Sequence, residues 1–189
     1  MSTRASQLRF ARVLSCLLLV ACLHRAPSPS AALAPHTHTV EQLRAAMPVG
    51  TEMKLRVEQA GQPPAIQRWT VTAADAVSCT IASQVLGQDG TVLADEGEGT
   101  SSWVELYAHA DFPADRTTVS DELLDTPLGR LATRRYEVME VGEDGQPVRK
   151  VMHFAVDLPG PPVQMTVFSA DGTVRMKLTQ IERSPRPGP

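Results

Sequence analysis

The chain has 189 residues, of which 42% are hydrophobic, 4% aromatic and 21% charged, with a formal net charge of -3. Three arginines and no acid fall in the first 21 residues, so beyond them 15 of the 18 basic side chains stand against all 21 acidic ones. An acidic body of this kind excludes a nucleic-acid partner, whose phosphates need a basic footprint, while the length allows one domain with a real core.

Residues 1–21 pair a basic start (Arg4, Arg9, Arg12) with an apolar run from Val13 to Ala21. That run is too short for a stable bilayer span and reads as a secretory signal. From His24 to His38 the chain is HRAPSPSAALAPHTH, rich in Pro, Ser and Ala and without apolar periodicity, so residues 22–38 read as a tether. His36 and His38 in such a segment lack the further ligands a metal site needs.

Residues 39–183 read as the folded body and 184–189 as a disordered tail. Thr39-Val40-Glu41-Gln42 has the form of a capping box and opens a short helix from Val40 to Met47, stopped by Pro48 and Gly50. Thr51–Glu58 then alternates with period two, burying Met53, Leu55 and Val57. Ile66–Thr72 forms the next strand, and Val77, Cys79, Ile81 and Val85 share one face of a third. Cys79 on that face reads as a small buried apolar residue. Thr91–Ala94 returns, Asp95–Gly99 reads as an acidic loop, and Ser101–Ala108 as a strand with Trp103, Glu105 and Tyr107 on one side. His109–Asp125 is irregular, with a single helical turn expected over Ser120–Leu124, before a strand over Ala132–Val141.

Val148–Glu182 organises the rest: three strands joined at Pro159-Gly160-Pro161-Pro162 and at Asp171-Gly172. Prolines 161 and 162 lack amide donors and belong outside the ladder. Three Asp-Gly pairs, at 89–90, 144–145 and 171–172, mark tight hairpins because glycine accepts positive φ without steric cost. The expected fold is mainly β: one antiparallel meander of about eight to ten strands, a curved sheet or partly closed barrel, with one short N-terminal helix.

Leu19-Val20-Ala21-Cys22 resembles the bacterial lipobox. The resemblance implies cleavage before Cys22 and transfer of diacylglycerol to its thiol. An ordinary cut after Ala34 is the alternative, with Pro35 unfavourably placed behind it. One acyl chain gives only marginal binding, at ~0.8 kcal/mol per buried CH₂, whereas two or three on one residue anchor durably. Leu23 and His24 follow the cysteine in place of Asp, which by the same resemblance implies the outer membrane. The order Pro48-Val49-Gly50-Thr51, Thr126-Pro127-Leu128-Gly129 and then His153–Val163 before an Asp-Gly hairpin resembles a broad set of uncharacterised bacterial lipoproteins with a β-rich domain. That resemblance covers roughly residues 45–183 and implies no chemistry.

No nucleophile elbow, His-Glu-x-x-His helix, phosphate-cradling Gly loop or paired zinc cysteines occurs in the sequence. A Ser169, His153, Asp157 triple is formally available but has no supporting motif. Arg130, Arg134 and Arg135 beside Tyr136 read as a strand face with cross-strand acids such as Glu137 or Glu140. No catalytic residue, metal ligand or cofactor is assigned.

Met152, Met165 and Met176 fall one to each of the last three strands. With Phe154 and Trp69 they would suit the lining of an apolar cavity. The sequence therefore supports a membrane-anchored, non-enzymatic structural or interaction module of the envelope. The alternative is a half-barrel carrier of a lipid or other hydrophobic ligand. The partners expected are the membrane, through the N-terminal lipid, and an envelope protein or hydrophobic ligand.

Overall fold

Alternating apolar residues on nine segments build one antiparallel sheet in the computed structural model, which describes residues 32–142 and 144–184. In chain order the elements are α1 (Val40–Ala46), β1 (Glu52–Gln59), β2 (Ala65–Ala74), β3 (Ser78–Leu86), β4 (Val92–Ser102) and α2 (Trp103–Ala108). A 3₁₀ turn (Ala114–Arg116) follows, then β5 (Thr117–Thr126), β6 (Gly129–Val141), β7 (Pro147–Ala155), β8 (Gln164–Phe168) and β9 (Val174–Ser184). Among the described residues no helix is long and apolar enough to cross a membrane.

The strand order is β4-β3-β2-β1-β9-β8-β7-β6-β5. The expected single meander is thus two meanders joined where the first and last strands pair, with Val57 opposite Leu178. The sheet does not close: β4 and β5 are its two edges.

The link from β4 to β5 must therefore cross the whole sheet. A flat sheet would put those edges about 38 Å apart at ~4.8 Å per step. The fourteen intervening residues reach only about 32 Å, with six in an α-helix at ~1.5 Å each, three in the 3₁₀ turn at ~2.0 Å and five extended at ~3.4 Å. The sheet is accordingly coiled, and β5 comes into contact with β9 although three strands lie between them in the ladder.

The crossing segment covers one face of the sheet, and the core lies beneath it. Trp103 of α2 and Met47 after α1 pack on Met53, Val71 and Cys79. Phe112 and Ala34 pack on Tyr136, Val138 and Met152. Leu55, Val57, Ala65, Val85 and Leu178 fill the middle. The opposite face carries cross-strand pairs such as Lys54–Glu182 at 2.8 Å and Arg149–Glu137 at 3.3 Å.

Four local expectations are corrected. Trp103–Ala108 is a helix, because Ser102 and Glu105 form a reciprocal capping box: Ser102 Oγ accepts from Glu105 N, and the Glu105 carboxylate accepts from Ser102 N at 2.8 Å. Asp95–Gly99 is no loop but part of β4, where the register shifts between Ser83 and Gln84 and Gly97 takes φ 82°. The shift leaves Glu96 unpaired in the ladder, a bulge that lets an acidic run stay in a strand. Ser120–Leu124 lies within β5, paired residue for residue with β6, so sheet pairing overrides its helical look. The stretch 32–38, read as tether, lies on the domain: Ala34 N bonds Phe112 O at 2.8 Å and Leu33 bridges Pro113.

The three Asp-Gly hairpins have one geometry. Asp89, Asp144 and Asp171 each accept the amide two residues on, at 3.1, 3.0 and 2.9 Å, and the glycines adopt φ of 84°, 75° and 83°. The Thr91 hydroxyl and then its amide hold the Asp89 carboxyl below the usual range, and the backbone bonds from Gln146 and Thr173 do most to lower Asp144 and Asp171.

Candidate functional site

Cys22 lies outside the described residues. The five residues expected to line an apolar cavity all belong to the covered side of the sheet but pack in two groups. Trp69, Met165 and Met176 lie against the central cluster around Leu55 and Leu178, and Met165 also packs against the second group and joins the two. Met152 and Phe154 lie with Tyr136 and Phe112; the Tyr136 and Phe154 rings meet edge to face with centroids 5.5 Å apart. Above Met152 sit Ala34 and Phe112, supplied by the chain itself.

The segment that caps this region is held by polar contacts. Tyr136, buried, donates from its hydroxyl to Pro35 O at 2.7 Å and shares a hydrogen bond with Thr37 at 2.9 Å. His38 is buried, with Nε2 2.9 Å from Ala155 O and 3.3 Å from Val156 O. Burial lowers its pKa against the pull of those two carbonyls. The His36 ring stacks on Tyr107 at 3.9 Å and its Nε2 lies 2.8 Å from Asp111. Both histidines are therefore packing groups of the domain, a role visible only once the sheet they rest on exists.

The formal Ser-His-Asp triple is not assembled. His153, on the opposite face of β7, bonds Glu122 at 2.7 Å. Asp157 lies in the β7–β8 connection, and Ser169 follows β8 in the hairpin turn. The arginine group is likewise divided. Arg134 pairs with Asp121 at 3.0 Å and reaches His36 O at 3.4 Å. Arg135 turns the other way to Glu137, which Arg149 also meets, and this pair of arginines lowers the Glu137 pKa, the Arg135 hydrogen bond most. Among the described residues no group of three or more His, Cys, Asp or Glu is placed to hold a metal ion.

One cleft stands apart from the core. It lies between the tip of the β5–β6 hairpin (Leu128, Arg130, Leu131, Ala132), the β7–β8 connection (Asp157, Leu158, Pro159), the end of α1 and Arg183 of β9, and its volume is about 550 Å³. Arg183 donates from Nη2 to Ala46 O at 2.7 Å and to Pro159 O at 2.8 Å, tying α1 and the connection to the last strand. Its Nη1 is buried with no partner among the described residues, and burial lowers its pKa. Thr51, 1% exposed, borders the same cleft, and its hydroxyl oxygen also has no partner among the described residues. The sequence carries no local sign of this arrangement, since Ala46, Thr51, Leu131, Pro159 and Arg183 come from five separate segments.

No family model matches the chain, and no curated protein matches it by sequence. Solved structures do resemble it. A candidate lipoprotein from Parabacteroides distasonis is similar at 9% identity, covering 73% of this chain and 96% of its own, with TM-score 0.48. A candidate exported protein with a YmcC-like fold from Bacteroides fragilis is similar at 9% identity, covering 82% of this chain and 100% of its own, with TM-score 0.48. MucB from Pseudomonas aeruginosa, in its complex with MucA, is similar at 10% identity, covering 79% of this chain and 57% of its own, with TM-score 0.47.

Proposed function

We propose that the chain is an envelope lipoprotein, cut before Cys22 and fixed by acyl chains on that cysteine to the periplasmic side of the outer membrane. Its β domain acts there as a non-enzymatic interaction module. The signal-like start and the Leu19–Cys22 motif support the anchoring, and the packed covered face supports the module.

That packing is the observation that favours a module over a carrier. A carrier of acyl chains needs an open apolar trough. Here Trp103 and Phe112 are buried over the face where such a chain would lie. Lifting out either ring would expose about 150–250 Å² and cost about 4–6 kcal/mol at ~25 cal/mol per Å². The free β4 and β5 edges remain for contact with a partner.

Two measurements test the reading. Metabolic palmitate labelling should mark the wild-type chain and not Cys22→Ala, which should also leave the membrane fraction. Label and membrane retention in the mutant would refute the anchor. Native mass spectrometry of gently purified protein should show only covalently attached acyl chains. A copurified lipid whose removal exposes Met152 and Phe154 would replace the module with the carrier.

A further inference from the structure

We propose that the cleft at Arg183 binds an amphipathic oxyanion, a carboxylate or phosphate carried on a short apolar chain, with Arg183 and Arg130 taking the charge and Leu128, Leu131 and Leu158 the chain. The inference stands on the cleft alone and does not depend on the envelope placement or on the module reading.

The first ground is charge. A guanidinium taken from water needs a counter-charge or a full set of acceptors. Arg183 has neither: one nitrogen serves two neutral carbonyls, and Nη1 is buried without a partner among the described residues. None of the ion pairs among those residues includes Arg183 or Arg130. The one acid of the cleft, Asp157, is exposed and pairs with neither arginine, so the lining carries two cations against one anion.

The second ground is the orphaned hydroxyl of Thr51 beside the same space. Buried polar groups in native structures nearly always have partners; a guanidinium nitrogen can be satisfied only by an acceptor, and the hydroxyl can donate to one as well. The third is shape. A volume near 550 Å³ falls in the range of roughly 300–1,000 Å³ typical of small-molecule sites. Leucine, alanine and proline make up the rest of the wall, which suits a chain of several methylenes. Gly160 leaves room for the guanidinium, since a Cβ there would come within 2.8 Å of Nη1.

The test is calorimetric titration of the full chain with octanoate, octyl phosphate and octanol. At least one of the two anions should bind about tenfold or more tightly than the alcohol, a difference of ~1.4 kcal/mol. The tighter of the two identifies the head group as carboxylate or phosphate. Arg130→Gln should weaken the anion about threefold or more and Asp157→Asn should strengthen it, both with unchanged melting temperature because both side chains are exposed. Arg183→Met should abolish the preference for the anion. Because Arg183 also ties α1 in place, the Arg130 and Asp157 variants decide if that protein does not fold. Equal affinity for the alcohol and the anions, no binding by any of them, or anion affinity indifferent to both exposed variants would overturn the proposal and leave water as the occupant.

Discussion

His153 Nε2 lies 2.7 Å from a Glu122 carboxylate oxygen, two strands away on the same face of the sheet. The contact has the distance of an ion pair, yet the imidazole pKa is below its ordinary 6.5. Burial is the larger influence, and Arg135 adds to it; Glu122 and the Gln164 backbone oppose it but do not prevail. Burial thus weighs against the charged ring, and among the described residues Nδ1 is buried without a hydrogen-bond partner.

This fixes the sign of a pH dependence. His153 and His38 both titrate lower in the folded chain than the ordinary 6.5, so below that pH the unfolded chain binds more protons. Their contribution is complete above the unfolded value and is lost as the pH falls from there through the lower folded value. Urea midpoints should drop between pH 7.5 and 5.5. His153→Gln should flatten part of that slope; an unchanged slope in the His38→Gln, His153→Gln double variant would refute the assignment.

Removing the Tyr136 hydroxyl should loosen the stretch before α1. Tyr136→Phe leaves Pro35 O and Thr37 without their partner. The expected cost is about 1–2 kcal/mol, with the ring still packed. Hydrogen exchange should rise over residues 32–38 more than over β6. A uniform rise across the sheet would contradict a local latch.

Trp103 joins α2 to the sheet. It is 2% exposed and donates from Nε1 to Asp75 O at 3.0 Å. Trp103→Ala should destabilise by about 3–5 kcal/mol through lost burial and the cavity left behind. Ser102→Ala, which removes only the cap, should cost about 0.5–2 kcal/mol. Denaturant unfolding of the two variants should keep that order.

Gly160 should resist substitution. Its φ of 152° lies where L residues pay about 1–3 kcal/mol, and a Cβ would also press on Arg183. Gly160→Ala should lower the melting temperature, whereas Gly145→Ala, at φ 75° with open space around it, should cost less. Thermal melts of the pair check the difference.

Most of the strands, the Asp-Gly turns and the first helix were legible because each is set by neighbours in sequence. The alternation of Met53, Leu55 and Val57 is a period-two signal, and Asp171-Gly172 has a backbone requirement that few other pairs meet. The burial of Cys79 beside Met53 and Val71 followed from the same alternation. Ser102-Trp103-Val104-Glu105 has the form of a capping box, but its regular alternation led to the strand reading, and only packing of Trp103 against Met53 and Val71 distinguishes the two.

The pairing of β1 with β9, the covering of one face by the β4–β5 link and the cleft at Arg183 were decided only in three dimensions. Nothing local tells Val57 that Leu178 lies beside it, because that contact exists only once two separate meanders share an edge. The same holds for Arg183: its charge reads as an ordinary strand terminus until Ala46, Thr51 and Pro159 close around it. Local chemistry chose the pieces; the cost of leaving apolar strand faces and long-range strand edges unpaired chose how they sit together.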